Sequence, residues 1–174
     1  GFFNAAGVIV NTEFKDFYCN GGGYLLDELD SWNPSAQLWL NAALANGECA
    51  FPDGTKQRHP DFVCIGAANT WGLGATVEYV GRTKLDAAFL NRFVAKIQWD
   101  YDEALEIACS NNNAWTVRVQ QLRANAKRQG LKVIISPRVS IEGAALLAAG
   151  IDQATVESIT VGAGLSAEQW STIR

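Results

Sequence analysis

The apolar residues of this chain change period once, near Trp99-Asp100, and that change constrains the fold more than any other feature. Before it, short apolar runs of strand length alternate with a helical segment; after it the spacing is helical throughout. Strands alternating with helices imply an α/β core built on a parallel sheet. The expected organisation is therefore an α/β core over residues 1–99 and a small all-helical subdomain over residues 100–174.

Within the first part, Gly7-Val8-Ile9-Val10 reads as a short strand and Tyr24-Leu25-Leu26 as a buried strand that ends in an acidic pair. Residues 34–46 read as a helix that Asn33 caps, Pro34 starts and Gly47 ends. Residues 62–67 and 94–99 supply a third and a fourth buried strand, and the turn-rich stretch 48–60 a hairpin. Beyond Asp100, helices are expected over 101–109, 114–129, 137–149, 152–159 and 166–173, with a short extended piece at 132–135.

Composition narrows the function classes. With 174 residues, 48% of them apolar, the chain can bury about 70% of its unfolded surface and needs no metal or disulfide staple. The net charge, 14 − 18 = −4, argues against a wholly basic nucleic-acid module, although Arg118, Arg123, Lys127, Arg128, Lys132 and Arg138 cluster late. A charged stripe on a long helix is usually a solvated face, so nucleic acid is not the expected partner. No apolar run approaches the roughly 20 residues that span a bilayer, and Gly1-Phe2-Phe3-Asn4 lacks the marks of a signal peptide, so no membrane is expected and the expected compartment is cytoplasmic. Cys19, Cys49, Cys64 and Cys109 form no CxxC pair, and with His59 as the single histidine they offer no zinc set; reduced thiols are expected.

Chemistry concentrates where strands end. Leu25-Leu26-Asp27-Glu28 puts two carboxylates at the C-terminal edge of a sheet, where open α/β sheets bind ligands. One reading is a Walker B element, with Asp27 orienting Mg²⁺ through water and Glu28 polarising the attacking water; the other is a strand running into an acidic turn, helped by Asp30. Asn69 follows the strand at 62–67 and would emerge at the same edge, its amide suited to holding a water beside a phosphate or simply to forming a turn. Residues 85–93 read as a helix that ends in Arg92-Phe93. Arg92 there is either a fixed guanidinium reaching a neighbouring subunit's phosphate or a surface ion pair with Asp86 or Glu78. Gly21-Gly22-Gly23 precedes a strand instead of joining strand to helix, so it reads as a turn before an anion site. In the hairpin, Phe51 and His59 are either substrate contacts or, the reading preferred, a packed ring and an exposed imidazole.

Taken in order and spacing, these segments resemble the AAA+ ATPases of the MoxR and dynein-related branch, most closely the cobalt-chelatase small-subunit-like ATPases. The resemblance is carried by Gly22-Gly23-Tyr24-Leu25-Leu26-Asp27-Glu28-Leu29-Asp30, Asn41-Ala42-Ala43-Leu44-Ala45-Asn46-Gly47 and Phe51-Pro52-Asp53-Gly54. It continues through His59-Pro60-Asp61-Phe62, Ala67-Ala68-Asn69-Thr70, Tyr79-Val80-Gly81-Arg82, residues 85–93 and Ser136-Pro137-Arg138. It implies a partial P-loop NTPase sheet with flanking helices, followed by a helical lid that starts at Asp100-Tyr101-Asp102-Glu103-Ala104-Leu105-Glu106. Residue by residue it implies Asp27 and Glu28 as the Walker B pair, Asn69 as sensor 1, Arg92 as the arginine finger and Arg138 as sensor 2. Arg82 is a second candidate trans-acting arginine. The implied cofactors are ATP and Mg²⁺. The implied partners are further copies in a hexameric ring and a chelatase large-subunit-like or von Willebrand A-domain protein.

One departure is decisive. The chain contains no Gly-x-x-x-x-Gly-Lys-Ser/Thr; Gly54-Thr55-Lys56 and Gly81-Arg82-Thr83-Lys84 lack its strand, spacing and order. The resemblance implies that this phosphate loop and its strand precede the chain, so the expectation is a C-terminal fragment of a ring-forming ATPase, inactive by itself. Its alternative is a non-catalytic interaction module on an ATPase-like scaffold. The missing strand would lie between those at 62–67 and 94–99, leaving two unpaired edges to be closed together, swapped or covered by self-association.

Overall fold

The computed structural model describes residues 2–174, which fall into two compact units, one ending at Lys96 and one over Ile97–Arg174. The first is mixed α/β. Strands β1 (Phe2–Phe3) and β2 (Ile9–Val10) pair antiparallel, then α1 (Glu13–Asn20) leads into β3 (Gly22–Leu26). Helix α2 (Pro34–Asn46) follows, then the hairpin β4 (Glu48–Phe51) and β5 (Gly54–Gln57), then β6 (Phe62–Gly66) and the single turn of α3 (Ala87–Leu90). Strands β3 and β6 are parallel, in register from Gly22 opposite Phe62 to Leu26 opposite Gly66, and the crossover between them carries α2 and the hairpin.

Local chemistry sets these elements. The Asn33 side chain accepts from the Ala36 amide at 2.9 Å, Pro34 occupies the first turn, and Gly47 at φ 69° closes α2 in the left-handed region. Gly21 joins α1 to β3 at φ +91°, and a Cβ there would lie 2.7 Å from the His59 ring, so both backbone and space require glycine. The unit's core is aromatic: Phe14 packs on Tyr18, Tyr24, Trp39, Phe51 and Phe62, with Leu26, Leu40 and Phe89 completing it. Buried Tyr18 donates to the Ala43 carbonyl at 2.9 Å, and burial pushes its phenol up to about 12. The four cysteines are free thiols; burial pushes Cys49 and Cys64 up to about 11, away from thiolate reactivity.

Several expectations need correction. Among the described residues the parallel sheet has two strands, and the other two pairs are antiparallel hairpins. The strand expected at 7–10 shrinks to Ile9–Val10 in the first hairpin. Residues 94–99 form no strand: Val94 is 97% exposed and Trp99 86%, because among the described residues β6 is hydrogen-bonded along one edge, to β3, and no further strand offers these residues a ladder. The two edges are thus not closed on each other. The parallel strands are also not buried on both faces; Leu26 and Phe62 face the core, but Leu25 (58% exposed), Val63 and Ile65 face outward. The helix expected over 85–93 is one turn, since Arg92 and Phe93 donate to carbonyls three residues back and tighten the chain out of the α geometry.

The second unit is helical: α4 (Glu103–Ser110), α5 (Asn113–Arg128), α6 (Pro137–Ala148), α7 (Gln153–Thr160) and α8 (Ala167–Ile173). Side chains of Asp102, Asn112, Asp152 and Ser166 accept from backbone amides at four helix starts, the last within a capping box with Gln169. Its core holds Trp115, Val119, Leu122, Ile135, Val156 and Ile173. Helices α5 and α6 approach closely at Gly143, where a Cβ would sit 2.5 Å from the Trp115 indole. Two arginines of the basic stripe are spent internally. Arg123 binds buried Glu106 through two hydrogen bonds of 2.7 and 2.8 Å, and Arg118 pairs with Glu157 at 2.9 Å. Burial alone would raise the Glu106 carboxyl, but the bonds from Arg123 and from the Ser140 hydroxyl hold it below its ordinary value. No helix among the described residues is long and apolar enough to cross a membrane.

Candidate functional site

The carboxyl ends of β3 and β6 are laced together beyond the strands. Ala67 donates its amide to the Leu26 carbonyl at 2.8 Å, and Leu29 donates to the Ala67 carbonyl at 2.9 Å. This fixes the turn that carries Asp27 and Glu28 beside the segment that carries Asn69. Asp27 is exposed; one carboxylate oxygen accepts from the Glu28 amide at 2.8 Å, and its carbonyl accepts from the Trp32 indole at 3.1 Å. Glu28 stands at φ 51°, ψ 40°, a left-handed conformation that costs a non-glycine residue about 1 kcal/mol or more. Ser31 holds it there, giving both its amide and its hydroxyl to the Glu28 carbonyl at 2.8 Å.

Arg82 reaches this turn from the long segment between β6 and α3. Its guanidinium donates to both Glu28 carboxylate oxygens at 3.3 and 3.4 Å, and Glu28 holds the guanidinium even more firmly protonated than usual. The same guanidinium stands 3.7 Å from Asp30 Oδ1. Asp30 is fully buried. Its Oδ2 accepts from the Thr70 amide at 2.9 Å and hydroxyl at 2.7 Å, while its carbonyl accepts from the Thr83 amide at 2.8 Å and hydroxyl at 3.0 Å. Its Oδ1 has no hydrogen-bond partner.

The structure therefore brings Asp27, Glu28 and Arg82 together at one end of the parallel pair, with Asn69 exposed in the segment just beyond β6. Arg92 is placed elsewhere: its Nε donates to Asn41 of α2 at 2.9 Å. Arg138 is exposed in the first turn of α6, in the second unit. Arg82, expected as a trans-acting group, is engaged by Glu28 of its own chain. The residue that sequence reasoning passed over is Asp30, treated there as an extension of an acidic turn. Its signal was the hydroxyl residue beside each other candidate, Thr70 after Asn69 and Thr83 after Arg82, both of which it binds.

For a nucleotide, the acidic end has the donor types such a site would need, two carboxylates and an amide at one strand edge. Among the described residues one Asp27 carboxylate oxygen accepts a hydrogen bond, from the Glu28 amide, on an exposed side chain, and Glu28 and Asn69 stand at the same edge. The phosphate end does not fit: the chain has no glycine-rich Lys-Ser/Thr loop, and among the described residues no group of three or more His, Cys, Asp or Glu is arranged to hold a metal by itself. No family model matches the sequence, and no curated protein matches it either.

Proposed function

We propose that this chain carries the acidic and arginine-bearing end of an AAA+-type ATP site, as part of a ring-forming parent that couples ATP hydrolysis to remodelling of a partner protein or to metal insertion. The observation that carries the reading is the parallel β3–β6 pair: Asp27 and Glu28 follow β3, Asn69 follows β6, and the backbone beyond the strands locks the two segments side by side. In this reading Asp27 would hold Mg²⁺ through water, and the ion would supply charge neutralisation for the phosphates. Were nucleotide held there by the parent, Glu28 would be the carboxylate placed to take a proton from water and Asn69 the amide placed to orient it. Arg92 acts on the nucleotide of a neighbouring copy, and Arg138 on that of its own. The phosphate cradle comes from a strand and loop outside this chain, seated along the free edge of β6.

The test is ATP turnover. The 174-residue chain should hydrolyse none, whereas the product of the whole gene, if it encodes a glycine-rich Lys-Ser/Thr loop upstream of Gly1, should hydrolyse ATP and lose about 10²-fold or more on Glu28→Gln. Hydrolysis by the 174-residue chain that Glu28→Gln abolishes would remove the fragment reading. A gene without such a loop would remove the ATPase reading. The second reading, a non-catalytic interaction module, draws on one observation: Arg82 and Arg92 are both occupied by residues of their own chain, Glu28 and Asn41.

A further inference from the structure

The unpartnered oxygen of Asp30 is the oddest group in the first unit. A buried carboxylate oxygen with no hydrogen bond is costly, and native folds leave few of them. Here a guanidinium stands 3.7 Å away, about 1 Å short of the 2.7–2.9 Å of a charge-assisted bond. That guanidinium is instead drawn toward Glu28, whose side chain is 57% exposed, at the long distances of 3.3 and 3.4 Å. Arg82 itself is 14% exposed, so its head is confined between the two carboxylates. It satisfies neither fully.

The geometry points to a two-position latch: Arg82 restrains Glu28 in the arrangement seen here, and the free Oδ1 of buried Asp30 is the seat Arg82 takes when Glu28 is released. The second seat makes release inexpensive, because the bond lost at an exposed carboxylate is replaced by a shorter one at a buried carboxylate that lacks a partner. Asp30 suits this role because its other oxygen and its carbonyl are fixed by Thr70 and Thr83, which hold the carboxylate still while the arginine moves. Thr83 also follows Arg82 directly, so the backbone beside the moving side chain is anchored to the seat. Asp30 and Arg82 thus act as positioning residues for Glu28. Their importance for catalysis rests on the ATP-site reading, while the charge pairing itself does not.

A double-mutant cycle on the 174-residue chain tests the latch without nucleotide. Glu28→Gln and Arg82→Gln alter partly exposed side chains, and exchange of the Thr70 and Thr83 amides, both bonded to Asp30, reports local stability. Arg82→Gln should raise that exchange up to about fivefold in the parent chain, the upper range for a partly exposed pair. In the Glu28→Gln background it should raise it at least as much, since Arg82 then serves Asp30 fully. If the effect of Arg82→Gln disappears once Glu28 is gone, Arg82 has a single partner and the latch is wrong. A crystal structure of the Glu28→Gln chain gives a direct reading: Arg82 should close on Asp30 Oδ1 from 3.7 Å to about 2.9 Å, and an unchanged distance would overturn the proposal. A latch that fails while Glu28 remains essential for hydrolysis leaves the ATP site standing. A latch that holds in the protein of a gene without a phosphate loop leaves the latch and removes the ATP site.

Discussion

The two units solve the problem of burying apolar side chains in different ways. The helical unit closes on itself: Trp115, Val119, Leu122, Val156 and Ile173 are almost wholly buried, and its buried acids Glu106 and Glu157 each hold an arginine. The α/β unit packs its aromatics equally well on one face of the β3–β6 pair but leaves Leu25, Val63 and Ile65 outside and one edge of each strand without a ladder. A helix satisfies its own backbone and asks only for a partner to one stripe, whereas a strand must borrow hydrogen bonds on both sides. The first unit therefore leaves backbone hydrogen-bonding groups of its parallel pair without a strand partner, whereas the second satisfies its helical backbone internally, although it too exposes apolar side chains such as Leu105 and Ile159.

The sharpest way to break that contrast is to delete the same side chain from each unit. Leu122→Ala should cost the helical unit about 3 kcal/mol, seen as lower denaturant midpoints for its exchange-protected amides. Gly143→Ala should follow at about 2 kcal/mol, because the new methyl must displace a fully packed indole; Trp115 fluorescence and thermal unfolding would show it, and a neutral result would mean that α5 and α6 separate easily. Acid provides a third contrast. The Glu106 carboxyl is held below its ordinary value, so its contribution is complete above the unfolded value near 4.3 and is lost as pH falls through the lower folded one. The helical unit should lose stability on acid titration, and Glu106→Gln should flatten that dependence. The smallest effect is expected at Leu25→Ala, within about 0.5 kcal/mol in the isolated chain. A cost near that of Leu122→Ala would show the outer face already covered in solution.

The helical unit was the more legible of the two. Its caps and stops are local, so Gly130, Gly150 and the cap residues Asp152 and Ser166 mark boundaries without reference to tertiary structure. The same holds for α2, bounded by Asn33 and Gly47. Residues 94–99 show the opposite case: Val94, Ile97 and Trp99 have the composition of a strand, but a strand exists only beside another, and that condition is not written in the segment itself. At the site, the end-of-strand placement of Asp27, Glu28 and Asn69 could be read from the apolar runs before them. The pairing of Arg82 with Glu28, 54 residues earlier, and the part played by Asp30 could not, since both depend on how the long segment after β6 folds back.

The register of the parallel pair has a kinetic side. Gly22 meets Phe62 across forty residues of chain, with α2 and a hairpin in between, so the α/β unit must close a long loop before its central contacts form. The helical unit is held mostly by helices one or two apart in sequence, with the packing of α8 on α5 as its long closure. By the usual dependence of rate on contact separation, it should fold first and fast, leaving the aromatic core of the other unit to condense later. During that interval the outward Val63 and Ile65 and the strand edge beneath them are open to any passing extended chain, and a folding helper that shields strand edges would raise the yield of this protein more than one that merely slows collapse.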